Sequence, residues 1–188
     1  FRCLLSDMPM PEQHVKGEAK AGRLGARLMA VLCEGDRGRV YLSPTAEQEQ
    51  KANVEQPEDL DGIQAPLAKD PRNLWCLGYG LDTFDKLFTP RQLVALTTFS
   101  DLVAEARDLA RQHAQATPDR NADEYADAVS VYLAFAVSKA LDYWITIATW
   151  MPRETVGHAM NKQAIPMTWD FPEANPFAEF HCAWHEIY

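Results

Sequence analysis

Residues 123–150 carry the longest apolar helical pattern in the chain, and that pattern limits what can surround it. Ala126, Val129, Leu133, Ala136, Ala140, Tyr143, Ile147 and Trp150 follow one another at steps of three or four. This is one face of a helix about 42 Å long at 1.5 Å per residue. The opposite face is apolar too, with Tyr132, Phe135, Val137, Leu141 and Trp144, and only Lys139 and Asp142 interrupt it. A helix apolar nearly all round is a buried one. One neighbouring helix cannot cover both faces, so the pattern calls for further elements, a homodimer partner or the rest of a larger protein.

The neighbour is legible just upstream. Thr89, Pro90 and Gln92 combine an N-cap, a proline at the first helical position and a polar residue at the third. Ala95, Phe99, Leu102, Ala106, Leu109 and His113 then form an apolar stripe that ends near Ala116, and Thr117-Pro118 breaks the helix. The two helices form a subdomain over residues 89–160, expected to pack antiparallel.

After it, Pro166, Pro172 and Pro176 forbid helix, so residues 162–177 run extended or in turns. This loop also carries Trp169, Asp170, Phe171, Asn175 and Phe177, rings that must be buried and polar groups that must be bonded. Residues 161–188 are therefore expected to form an aromatic, proline-rich loop and tail.

The N-terminal part reads differently. Residues 1–15 look irregular, and the run KGEAKAGRLG over residues 16–25 suits turns or a close backbone approach better than a helix. Residues 27–33 and 39–42 read as two strands around a five-residue turn. Ser43-Pro44-Thr45 starts a short polar helix reaching about Val54. Residues 55–88, punctuated by Pro57, Gly62, Pro66, Pro71, Gly78 and Gly80, read as a linker or an extended meander across a surface. The fold class is thus α+β, mainly α: a region over residues 1–54 with a β-hairpin, then the linker, the helices and the loop.

Charge is unevenly placed. The net charge is -9, which argues against a free-standing nucleic-acid-binding domain. Residues 1–40 nevertheless hold seven Lys or Arg against five acids, a local +2, while the remainder carries -11. A polyanion contact therefore belongs near Lys16, Lys20, Arg23, Arg27, Arg37 and Arg39, with a solvated face as the ordinary alternative. Cysteines 3, 33, 76 and 182 form no close pair and read as intracellular thiols, and the chain has no apolar run long enough to span a bilayer. The expected setting is cytoplasmic, without a membrane partner. The chain opens on Phe1 rather than Met, as a segment of a longer protein would.

Chemistry-bearing motifs are sparse. His181 and His185 lie four apart, a metal-ligand spacing that fits a metal-dependent hydrolase, with an unstructured tail as its rival. Cys3 and Ser6 have the spacing of a CxxC knuckle that lacks its second sulfur, so a structural metal is not expected. Asn175-Pro176-Phe177 is similar to the Asn-Pro-Pro-aromatic loop of adenine methyltransferases, short of one proline. No nucleotide-binding glycine loop, nucleophile elbow or metalloprotease motif occurs, and no catalytic residue is assigned.

Four blocks share a wider resemblance. GEAKAGRLGARLMAVLCEGDRGRVYLSPT (residues 17–45), LFTPRQLVALTTFSDLV (87–103), DAVSVYLAFAVSKALDYW (127–144) and KQAIPMTWDFPEANPF (162–177) resemble, in this order, the middle of a family of adenine-specific DNA methylases. Members of that family are described as carrying a zinc ribbon, and some are tied to phage defence. The resemblance covers most of the chain and departs at Ser6 and over residues 178–188.

It implies a parent that transfers a methyl group from S-adenosylmethionine to the N6 amine of adenine in DNA. The adenosylmethionine-binding motif and the DPPY loop would lie outside these residues, so the chain itself would need no cofactor. This segment would contribute DNA contacts through the basic residues named above. Trp169, Asp170, Asn175 and Phe177 would line the substrate cleft or support it. The reading from another class is a helical interaction or assembly module that buries the second face of residues 123–150 in a partner.

Overall fold

A computed structural model describes residues 1–70, 72, 74–116, 121–161, 163–179 and 182–184. It is an α+β structure, mainly helical, with an N-terminal two-stranded hairpin followed by helices. The elements are α1 (Glu12–Lys20), β1 (Val31–Gly35), β2 (Gly38–Leu42), α2 (Ala46–Ala52), α3 (Pro90–Gln115), α4 (Ala122–Ala140), β3 (Trp150–Met151) and β4 (Thr155–Val156).

The N-terminal region departs from expectation first. Residues 16–20 are helical, forming the end of α1, in spite of Gly17. The glycine that matters is Gly22, at φ +73° just past the helix end. Around it the Arg23 amide donates to the Glu18 carbonyl and the Gly22 amide to that of Ala19, a Schellman closure. The hairpin forms with Val31 opposite Leu42 and a two-residue turn at Asp36-Arg37, shorter than the five residues expected. The short helix starts on Thr45, whose hydroxyl caps Gln48 while the Gln48 side chain returns to the Thr45 amide.

Helix α3 begins with the same device at Thr89 and Gln92 and ends where expected. It packs against α4, and Arg107 pairs with Asp127 at 2.6 Å near the connection while Phe99 meets Trp144 further along. Those two contacts run in opposite chain directions, so the helices are antiparallel. The inward face of α3, however, is Leu93, Leu96 and Ala114, with Leu102 and Leu109 exposed. The expected stripe is rotated because α3 carries apolar residues over a wide arc, and the true buried face is the one turned toward α4.

The largest correction concerns residues 123–150. Helix α4 stops at Ala140, and residues 141–149 leave the helix in a series of turns. No proline or glycine breaks it. Ile145, Thr146, Ile147 and Thr149 are β-branched and poor at helix propagation. The Thr146 amide and hydroxyl both donate to the Leu87 carbonyl, at 2.9 and 2.7 Å, which replaces the helical bond.

This irregular segment is the centre of the core. Tyr143, Trp144, Ile145, Ile147 and Ala148 are buried with Leu67, Cys76, Leu87, Leu96, Val156, Ala159 and Cys182. Trp144 Nε1 donates to the Cys182 carbonyl at 2.7 Å, so the ring's one polar atom is satisfied. Burial there pushes the Cys182 thiol up to about 12. Leu60, Leu67, Cys76 and Leu87 show that the proline- and glycine-rich stretch before α3 contributes side chains to the interior. Among the described residues, no helix is long and apolar enough to cross a membrane.

Candidate functional site

Residues from three distant parts of the chain meet in one cleft of about 480 Å³. Glu12 and Lys16 project from one side of α1, a helical turn apart. Trp75, Leu77, Gly78 and Tyr79 come from a 3₁₀ turn over Trp75–Tyr79, and Met167 and Trp169 from the aromatic loop. The loop is fastened at the base of the cleft, where the Trp75 amide donates to the Ile165 carbonyl at 3.0 Å.

The helix and the 3₁₀ turn can approach closely because Gly80 closes the turn. Its φ is +79°, and a Cβ there would lie 3.1 Å from the Lys20 Cα. Any other residue would be strained at that φ and would push α1 away.

The walls are aromatic. Trp169 meets Tyr79 edge-on at 5.2 Å and Phe1 at 5.5 Å, and about half of the Trp169 and Trp75 surface stays exposed. Trp75 Nε1 donates to the Arg72 carbonyl at 2.9 Å, which fixes that ring. Lys16 Nζ lies 2.6 Å from Glu12 and 5.5 Å from the Tyr79 centroid. The hydrogen bond to Lys16 holds the Glu12 carboxyl below its usual range, and the bond to Glu12 holds the Lys16 ammonium above its own. Both charges are therefore present throughout the neutral range. Half-exposed rings beside this ion pair suit a planar group that adjoins a negative charge able to displace Glu12 from Lys16.

The other basic residues do not share this cleft. Arg23 pairs with Glu18, Arg27 with Glu49 and Arg39 with Glu34, at 2.6, 3.2 and 3.0 Å. Lys20 and Arg37 are exposed and, among the described residues, form no ion pair. The exposed pairs of Arg23 and Arg27 are weak, and an incoming anion can displace the carboxylate, whereas Arg39 is half-buried.

The four loop residues also separate. Asn175 and Phe177 lie away from Trp169. The Asn175 side chain accepts from the Phe177 amide at 3.0 Å in a local turn, and Phe177 leans toward Phe99 at 6.1 Å. Asp170 is exposed beside Trp169. The loop is held instead by Glu173, which accepts from the Thr89 hydroxyl at 2.6 Å and pairs with Arg91, itself bonded to the Ala52 carbonyl.

A second polar cluster lies near the end of α4. His158 Nδ1 is 2.6 Å from Asp142, which accepts also from the Met160 amide at 2.8 Å, and Lys139 Nζ stands 3.5 Å away. A carboxylate can only accept, so Nδ1 carries the proton. Nε2 faces the Tyr143 hydroxyl at 3.4 Å. Burial works to raise the Asp142 carboxyl, but the Met160 amide, His158 and Lys139 outweigh it and leave it below its usual range. His181 and His185 lie outside the described residues, among which no cluster of three potential metal ligands occurs.

Glu12, Trp75 and Tyr79 were not legible as site residues. The signal that could have found the two rings is the aromatic and glycine content of residues 75–80, WCLGYG, within a stretch otherwise read as a linker. No protein-family model matches the chain, and comparison with curated proteins and with solved structures returns no match.

Proposed function

We propose that this chain is the central, non-catalytic part of a DNA adenine-N6 methyltransferase, and that the aromatic cleft contacts a nucleotide of the bound DNA. One observation carries the reading: Lys16 and Trp169, assigned separately to phosphate and substrate contacts, converge with Trp75 and Tyr79 in one cleft. Aromatic faces stack on unpaired bases of any sequence, and a lysine neutralises the phosphate that follows. The ordered resemblance of four blocks to adenine-specific methylases supplies the reaction class.

In this reading S-adenosylmethionine binds the parent outside the described residues. Lys20, Arg23, Arg27, Arg37 and Arg39 then form an outer track for the backbone, with Arg23, Arg27 and Arg39 exchanging their carboxylate partners for phosphate.

The test is a titration of the parent protein with single-stranded and duplex oligonucleotides. Replacing Trp169 by Ala should weaken binding by about 5- to 150-fold, the equivalent of one base stack of about 1–3 kcal/mol. Replacing Lys20, Arg23 and Arg27 by Ala should lower the salt slope by about 0.7–0.9 for each phosphate that is no longer neutralised. An unchanged slope in that triple variant rules out the DNA contact.

A second reading, an assembly module, has its own observation. Val131, Tyr132 and Phe135 lie exposed along α4, where no described element covers them.

A further inference from the structure

The face of α4 that α3 leaves open has an order of its own. Tyr125, Ala128, Tyr132, Phe135 and Lys139 follow at steps of three, four, three and four, the spacing of a helix-pairing seam, and Glu124, Val131 and Ser138 flank it. Tyr132 is 76% exposed and Phe135 67%, whereas Phe99 on α3 and Trp144 just past the end of α4 are packed. An uncovered seam by itself does not name its occupant. Its self-complementarity does.

Lay the seam against its own copy in reverse, with the two-fold axis between Val131 and Tyr132. Ala128 then falls opposite Phe135 of the other copy, a small side chain against a large one, at both ends of the contact. Tyr125 falls opposite Ser138, and Glu124 falls opposite Lys139, carboxylate against cation. Among the described residues Glu124 forms no ion pair. Laid parallel, the same seam would stack Phe135 on Phe135 and Lys139 on Lys139, and would set Glu124 against Glu124. Like charges opposite one another destabilise, so size and charge both select the antiparallel arrangement.

A groove of about 510 Å³ sits at the end of the seam, lined by Phe135, Ser138, Lys139, Leu141, Asp142 and Met160. In this register it is the place that receives Tyr125 of the second copy. We propose that two copies of this chain pair through α4 in an antiparallel, two-fold contact centred on Val131 and Tyr132. The inference rests on the assembly reading and not on the DNA reading.

Two measurements test it. Sedimentation velocity of the full chain over about a hundredfold range of concentration should show a reversible dimer. Tyr132→Glu, which places two carboxylates at the axis, should raise its dissociation constant at least about 100-fold. Lys139→Glu should weaken it about tenfold, with Glu124→Lys in the same chain restoring it. An unchanged melting temperature for Tyr132→Glu, and an unchanged circular dichroism spectrum for Lys139→Glu, which sets a second carboxylate beside Asp142, show that folding is intact.

Mild oxidation of single-cysteine additions then reads the register. Tyr132→Cys should cross-link to itself beyond the background set by Cys3 and Cys33, whereas Tyr125→Cys should not, because the two copies of residue 125 lie about 20 Å apart along the axis. A monomer at every concentration overturns the dimer while leaving the assembly reading to a partner other than a second copy. A dimer that cross-links at residue 125 but not at 132 overturns the antiparallel register while leaving assembly standing.

Discussion

Helix α4 and the segment that follows it invert the usual relation between regularity and burial. Ala122–Ala140 is a continuous helix, yet it keeps Tyr125, Val131, Tyr132 and Phe135 exposed. Residues 141–149 are irregular, yet five of them are buried and Trp144 is 2% exposed. Helical hydrogen bonds satisfy the backbone of α4 wherever it lies, so it needs no cover. The irregular segment makes local turn bonds, such as that from the Ala148 amide to the Ile145 carbonyl, but depends on distant partners where the helix is lost: the Leu87 carbonyl accepts from the Thr146 amide, and the Asp142 carbonyl from the Ala159 amide. It exists because the core holds it there.

The contrast breaks most directly at Trp144. Replacing it by Ala removes the largest fully buried side chain and leaves the Cys182 carbonyl without its donor. The expected cost is about 3–5 kcal/mol, measured as a shift in the urea midpoint. A loss below about 1 kcal/mol would mean that the segment is not the centre of the core.

Asp142→Asn comes next and sharpens the account of how the irregular segment is held. The charge-assisted bonds to His158 and Lys139 are lost and the Met160 amide keeps an acceptor, so the expected cost is about 1–2 kcal/mol at neutral pH, reduced by partial exposure. Its sign follows from the depressed carboxyl. A group whose folded pKa lies below its unfolded value, about 3.9, contributes stability above that value and loses it as the pH falls through the folded one. The wild-type urea midpoint should therefore decline as pH drops below about 4, and the Asn variant should show a flatter decline there.

How much of this was legible follows the same division. Local signals read well: the helix start at Ser43-Pro44-Thr45, the cap at Thr89, the hairpin, and the end of α3 near Ala116 depend on a few neighbouring residues. The end of α4 did not, because apolar steps of three and four continue through Tyr143, Ile147 and Trp150 whether the backbone is helical or not. What stops the helix is the carbonyl of Leu87, 59 residues away, and periodicity carries no trace of it. Gly17 misled in the opposite direction, since α1 tolerates it. The cleft was half legible. Lys16 and Trp169 were singled out, but Trp75 and Tyr79 joined them only through the approach that Gly80 permits.

On the α4 side, Asn121→Ala tests whether the exposed helix stands on its own local signals. The Asn121 side chain accepts from the Glu124 amide at 3.4 Å, a long cap, so the expected cost is about 0.5–1 kcal/mol. Circular dichroism should show the loss confined to a small fall in helicity and midpoint. A cost comparable to that of Trp144→Ala would erase the contrast between the two regions.

The smallest effect should come from Phe135→Ala, and it separates the folded monomer from its assembly. Phe135 is 67% exposed, so its removal should change the stability of the dilute protein by no more than about 0.5 kcal/mol, although the same substitution in a core costs about 3–5. Alanine is also the better helix former, which offsets part of that. If two copies pair through α4, the ring is buried against Ala128 of the other copy at high concentration, and the cost must then grow with protein concentration. Melting temperatures of wild type and variant should therefore coincide in dilute solution and diverge in concentrated solution. Curves that diverge equally at every concentration would place Phe135 in the monomer's own core, and the contrast between α4 and residues 141–149 would be lost.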